Sequence, residues 1–443
     1  MRYRKKKKKN YIAMLAVSLL LITATGTFIF YQNRVRSAKN SPDESHAAVE
    51  EAEDEPAEIS LEEIRPESQT ASNGQKTNTL QETVQAEEEP DLDDGNSLGA
   101  ADEIIGNMSL EEKLWQMFIL TPEQLTGVSG VTAAGASTKN AISSKPVGGI
   151  IYLAGNIRDP AQTKEMLSNT QKYADEAEGL PLFLCIDEEG GRVVRIADNP
   201  SFNLANVGPM SNVEDTETAY RCGETIGSYL SEYGFNVDFA PDVDVLTNSA
   251  NAVIGDRSFG TDPRLVSDCG RAYSDGLHSK GLLSTFKHFP GHGATKADTH
   301  KGYAFSDKSY EELLNNELLP FASAEEYGVD MVMAAHISLP NVIGDDTPCS
   351  LSGKMLTEVL RNEFGYSGLI VTDALNMGAI AENYSSGEAA KKALKAGCDL
   401  LLTPMDPEEA YLSLFSAVKD GEISEERIDE SLRRIINAKL LLQ

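Results

Sequence analysis

From Lys287 to His300 the chain reads Lys-His-Phe-Pro-Gly-His-Gly-Ala-Thr-Lys-Ala-Asp-Thr-His, so three of its six histidines share one short stretch. His288 and His292 have the i,i+4 spacing of a zinc-binding helix. Pro290 and Gly291 stand between them, however, and a helix cannot align the two rings. A second reading is that these histidines only satisfy loop hydrogen bonds, which suits His292. A third is proton transfer. Asp298 and His300 are two residues apart in a Gly/Ala/Thr-rich segment. A carboxylate beside an imidazole fixes its tautomer and raises its pKa, which suits acid–base work near neutrality.

Three further groups carry reactive side chains. Asp373, in Val371-Thr-Asp373-Ala-Leu-Asn-Met377, has two readings: a helix N-cap, or a carboxylate that attacks a carbon centre and forms a covalent intermediate. Asp187-Glu-Glu-Gly-Gly-Arg192 with Arg195 sets carboxylates and two arginines around a Gly-Gly bend, a set that fits hydroxyl recognition on a polar ligand. It lacks the alternating oxygens of a calcium loop. Arg257-Ser-Phe-Gly260 adds a basic residue in a tight turn.

The elements that must position these groups are short, apolar and β-branched. The runs are Val147–Leu153, Leu182–Ile186, Val237–Ala240, Leu282–Phe286, Val329–Ala334, Leu369–Val371 and Leu400–Leu402, with Ala252–Ile254 a weak eighth candidate. Helical stretches separate them, so the spacing predicts parallel βαβ units with strands buried on both faces. Ser109-Leu-Glu-Glu112 is a capping box that predicts a helix through Phe118. An amphipathic helix is predicted at Arg433–Leu442. Reactive residues follow the runs again and again: Asp187, Asp242 and Asp244, Lys287 and His288, His336, Asp373, Thr403. In a (β/α)8 barrel that rim is where catalytic groups collect. An open doubly wound sheet should instead offer a Gly-rich phosphate turn, and no GxGxxG or GxxxxGK[ST] motif is present. The expected fold is α/β, a single TIM-type barrel over 98–443.

Before the barrel come three other segments. Residues 1–10 are basic. Tyr11 to Tyr31 carries no charge and is long enough, at about 30 Å as a helix, to cross a bilayer. Seven basic residues precede this run and three follow it, so the positive-inside bias leaves the N-terminus in the cytoplasm and the rest outside. The expectation is an uncleaved single-pass anchor; the alternative is a signal peptide cut near Ala24-Thr25-Gly26. Residues 32–97 read as a disordered acidic linker, because apolar residues there are too few to offset chain entropy. Net charge is +10 over 1–40, −16 over 41–100 and −24 over 101–443. The acidic body excludes a nucleic-acid partner, since phosphate binding needs a basic face. The cysteines at 185, 222, 269, 349 and 398 are scattered and read as buried apolar residues, with no metal or redox motif.

Taken together, these motifs resemble glycoside hydrolase family 3, in its β-N-acetylglucosaminidase branch. The matching pieces are Asp187-Glu-Glu-Gly-Gly-Arg192, Asn236-Val-Asp-Phe-Ala-Pro241, Arg257-Ser-Phe-Gly260, Lys287-His-Phe-Pro-Gly-His-Gly293, Asp298-Thr-His300 and Val371-Thr-Asp373, spread over 98–443. Glu188 and Thr299 depart from the family's common Asp-Gln-Glu-Gly-Gly and Asp-Ser-His. The resemblance implies a retaining mechanism with Asp373 as nucleophile and His300 as acid/base, oriented by Asp298. It implies that Asp187, Arg257, Lys287 and His288 bind the sugar, and Arg195 joins them from the Gly-Gly bend. No metal or organic cofactor is called for. The implied partner is a carbohydrate, a β-linked GlcNAc glycoside of the peptidoglycan kind, met outside the membrane. Two rivals remain: a β-glucosidase of the same family, which the Asp298/His300 pair argues against, and an inactive membrane-tethered cell-wall binding protein.

Overall fold

The computed structural model describes residues 99–297 and 304–443. The 1–10 segment, the 11–31 run, the 32–97 linker and the Asp298/His300 pair lie outside the described residues. Among the described residues no helix is long and apolar enough to cross a membrane.

Eleven strands lie among them: β1 (Phe118–Leu120), β2 (Gly149–Ile151), β3 (Phe183–Ile186), β4 (Val237–Asp238), β5 (Thr285–Phe289), β6 (Lys296–Ala297), β7 (Ala304–Phe305), β8 (Met331–Ala334), β9 (Ile337–Ser338), β10 (Leu369–Thr372) and β11 (Leu401–Leu402). Eight of these form a parallel ring in the order β1-β2-β3-β4-β5-β8-β10-β11. Bridges Val237–Leu283 and Val371–Leu400 join its two arcs, and β11 closes on β1 through Phe118–Leu401. This is the TIM-barrel-like α/β fold that the repeated runs predict. The strand side chains are buried throughout because the ring is filled from inside and covered outside by helices.

The helices start where short polar residues accept a free N–H. Asp159 caps Pro160–Glu178, Asp215 caps Thr216–Tyr233, Asp262 caps Pro263–His278 and Ser424 caps Glu425–Leu440. Each cap satisfies a donor that has no partner inside the helix. The last helix therefore begins well before the expected Arg433. All five cysteines are buried free thiols.

The eighth strand does not lie at the weak candidate after β4. Ala252–Ile254 forms no strand, and its carbonyls instead receive the Arg192 guanidinium at 2.7–3.0 Å. The missing strand is β1, inside the stretch read as helix. The capping box does form, with Ser109 and Glu112 exchanging both bonds, but its helix stops at Trp115. After two intervening residues Phe118-Ile-Leu is extended. A three-residue run directly after a strong helix start carries too little period to be separated from it by pattern.

β6 and β7 pair antiparallel, Lys296 with Phe305 and Ala297 with Ala304, and β7 lies beside β9. The connection between β6 and β7 is where Asp298 and His300 fall in the sequence.

Candidate active site

The reactive side chains come from strand ends, as the runs suggest. Asp187 follows β3, Asp373 follows β10, and Lys287 and His288 are consecutive in β5. Consecutive strand residues normally point to opposite faces. Here the β5–β8 register slips between Lys287 and Phe289, and such a bulge re-aims side chains, so both Lys287 and His288 reach the same cavity. The Gly190-Gly191 bend turns the chain back, and both residues have positive φ, 93° and 55°. A Cβ on Gly191 would stand 2.8 Å from the Cα of Pro209. The returning segment is fixed by buried Glu188, whose carboxylate accepts the backbone N–H groups of Arg195, Ile196 and Ala197 and the Tyr229 hydroxyl.

Asp187, Arg195, Arg257, Lys287, His288 and Asp373 all line one cavity of about 360 Å³ at the C-terminal end of the barrel. The structure thus brings together every predicted site residue that it describes. A larger hollow of about 590 Å³ opens near Gly179 and Gly234, at the other end of the strands. It is lined by helix-surface residues such as Lys164, Lys172 and Glu232, with no convergence of reactive groups, so the smaller rim cavity is the candidate site.

A dense ionic network runs along the cavity wall. Lys287 Nζ lies 3.2 Å from Asp187 and 2.5 Å from Glu189. Arg257 grips Glu189 with two bonds, 2.7 and 2.8 Å, and stands 3.2 Å from Asp242. Arg195 reaches the second oxygen of Asp187 at 3.2 Å. His288 Nδ1 meets Asp244 at 2.7 Å, and Asp244 also accepts the backbone N–H of His292. Burial works against the Glu189 carboxylate, but Lys287 and Arg257 outweigh it and hold its pKa well below the usual range. Burial also opposes the charge on Lys287, and Glu189 and Asp187 outweigh that, so the ammonium stays on.

Asp373 is held differently. Its carboxylate accepts the N–H of Ala374 at 2.7 Å, and its own N–H bonds to Ala334 on β8. Burial pushes its pKa up, but His336, His288 and the Ala374 N–H together bring it below the ordinary value. It is therefore an ionised carboxylate facing the cavity, as a nucleophile must be. The N-cap alternative does not hold, because the next helix is the single turn Gly378–Ala381, entered from Met377. His336, read only as a strand-end residue, is tied to Ser350 and to the Ala374 carbonyl and braces this turn. His292 bonds to Thr295, the loop role foreseen for it.

Glu189, Asp242 and Asp244 stood in the motifs without a role, and they prove to be the buried partners of the cationic wall. The signal was Asp242-Val-Asp244, two alternate carboxylates directly after a strand. Asp242, Asp244 and His288 bring ligand-type atoms within 4.8 Å of one another. Arg257 already supplies positive charge beside them, so the cluster reads as an ion-pair network and not as a cation site.

Residues 109–438 match the glycosyl hydrolase family 3 N terminal domain. A beta-hexosaminidase A of Pseudoalteromonas piscicida is 34% identical over 325 residues, which cover 68% of this chain and 54% of that protein. A beta-hexosaminidase of Nitrosomonas eutropha is 36% identical over 275 residues, 61% of this chain and 77% of that one. The chain thus spans about half the length of the first relative and about three quarters of the second. A solved family 3 beta-N-acetylglucosaminidase from Paenibacillus sp. str. FPU-7 superposes with a TM-score of 0.70 at 36% identity, over 76% of this chain and 63% of that one. With the family match running over most of the barrel and the rim residues where its motifs stand, this chain belongs to glycosyl hydrolase family 3.

Proposed function

We propose that this chain is a retaining exo-β-N-acetylglucosaminidase that removes terminal β-linked GlcNAc. The observation that carries the reading is the shared cavity: an ionised Asp373 on one side and the Asp187–Arg195–Arg257–Lys287–His288 wall on the other. The relatives' names support the sugar. Asp373 attacks the anomeric carbon while the bond to the leaving oxygen breaks, and His300 gives that oxygen its proton. A water then attacks the same carbon, His300 takes its proton, and the Asp373 ester bond breaks. The acid/base partner differs from the two-carboxylate scheme of most retaining enzymes. Asp298 orients the imidazole. The charged wall binds sugar hydroxyls through fixed donors and acceptors, which need no reorganisation on binding.

The same reading assigns residues 11–31 as a single-pass anchor, 32–97 as an acidic spacer and 98–443 as the catalytic domain outside the cell membrane, where peptidoglycan fragments supply the glycoside. The deciding experiment is hydrolysis of paired aryl β-glycosides by the full chain. GlcNAc should be released at least about tenfold faster than glucose, since one lost hydrogen-bonded group is worth that or more. A preference for glucose would favour the β-glucosidase reading, and no turnover of either would favour the inactive binding protein.

A further inference from the structure

Asp242 is a buried carboxyl that the proposed chemistry does not use. One of its oxygens accepts the N–H of Asp244 at 3.0 Å. The other, Oδ2, is wholly out of solvent and receives no hydrogen bond among the described residues. Arg257 Nε is only 3.2 Å from it, yet that N–H is directed at Glu189, 2.8 Å away. His288 Nδ1 is 4.0 Å from the same oxygen but donates to Asp244 at 2.7 Å. Asp242 therefore stands beside Arg257 and His288, whose N–H groups nearest to it are both committed elsewhere.

The charges that face it come from four segments: Glu189 after β3, Asp244 on its own segment, Arg257 from the turn that follows, and His288 from β5. Two carboxylates sharing a solvent-free site cannot both ionise cheaply, and one keeps its proton. Asp244 has the better claim to the charge, because His288 and the His292 N–H both serve it. The proton falls to Asp242.

We propose that Asp242 is a proton-carrying positioning residue for the sugar site. With its proton on, Arg257 is left to Glu189 and to the cavity it lines. With its proton off, a second buried anion draws the guanidinium inward, away from the sugar. This rests on the glycosidase reading above. Burial first and the neighbouring Asp244 second push the Asp242 carboxyl up to about 7, so the change falls near neutrality. The device acts on binding more than on bond cleavage, since Asp242 touches neither Asp373 nor the leaving group.

The test compares wild type, Asp242→Asn and Asp242→Ala. With 4-nitrophenyl β-GlcNAc, wild-type kcat/KM should fall at least about tenfold from pH 6 to pH 9, as a single ionisation near 7 allows. The loss should sit in KM and in inhibition by free GlcNAc, with kcat little changed. Asp242→Asn, shaped like the protonated form, should move that alkaline limb up by at least about one unit. Asp242→Ala, which leaves a void, should be weaker at every pH. An unmoved limb in Asp242→Asn, or equal losses at all pH values in step with Tm, would overturn the proposal. A second readout needs no activity. An Asp pKa raised on folding means the unfolded chain loses its proton first, so stability falls as pH rises from about 4 to about 7. The Tm of Asp242→Asn minus that of wild type should therefore grow across that window and level off above it. If the glycoside is not cleaved but the Tm difference grows, the functional reading fails and the proton on Asp242 stands. A flat Tm difference removes the proton from Asp242 whatever the activity.

Discussion

Lys287 and Glu189 face each other at 2.5 Å in the wall that lines the cavity, with side chains only 3% and 2% exposed. Glu189 also takes two bonds from Arg257, so one carboxylate is shared between two cations. The cations of the wall are thus held together by a carboxylate that lines the same cavity.

Removing that charge should be costly. Glu189→Gln leaves Lys287 and Arg257 short of a partner in a solvent-free setting, and breaking a buried pair from one side costs about 3–5 kcal/mol. Chemical denaturation should show that loss in the midpoint. A change below about 1 kcal/mol would mean that Asp187 and Asp242 suffice to hold the two cations.

Asp373→Ala removes a rim carboxylate and no core side chain. Turnover should drop roughly 10⁴-fold or more, the scale seen when one member of a catalytic unit is lost. The Tm should shift little. A fluorinated glycosyl trap should leave its adduct on Asp373; an adduct on Glu188, Glu189 or Asp244 would reassign the nucleophile.

His300→Ala should harm poor leaving groups more than good ones, because general acid help matters most when the departing oxygen is basic. The expected span is about 10²–10⁴-fold for unactivated glycosides. Asp298→Ala should give a milder copy of the profile. Equal Brønsted slopes for wild type and His300→Ala would leave His300 as a loop residue only.

Lys439 offers a stability test at the opposite end of the barrel. It is 1% exposed, bonds to Gln116 at 2.7 Å and lies 5.3 Å from the centre of the Phe183 ring, with no ion pair among the described residues. Burial pushes its pKa down to about 7. Above that value the unfolded chain holds a proton that the folded one has released, so stability rises with pH from about 7 to about 10. Lys439→Met should be more stable than wild type at pH 7, with the gap closing by pH 10. A constant gap would mean that the ammonium stays charged inside.

Most of the barrel was legible because its strands are buried on both faces and so read as uninterrupted apolar runs, each followed by a reactive residue. Leu182–Ile186 and Val329–Ala334 fall almost on β3 and β8. β1 was missed because three residues after Trp115 cannot outweigh a helix signal. Asp373, Asp187, Lys287 and His288 could be picked out because reactive types at strand ends are rare by chance. Glu189 and Asp244 could not be assigned, because their importance lies in what surrounds them: a carboxylate becomes a structural counter-ion only when folding buries it beside cations from distant segments.

The closure of the ring through Phe118 and Leu401 also has a consequence for biosynthesis. β1 is among the first strands to be made and β11 the last, so the open edge of Phe118-Ile-Leu waits for almost the entire domain before it is covered. Such distant pairing is slow to form, and an uncovered apolar edge is a site for wrong association. A ribosome that stalls after β10 would present a seven-strand sheet with two sticky margins. Chaperone dependence should therefore concentrate on chains arrested between Thr372 and Leu401, and adding back the last segment as a separate peptide should relieve it.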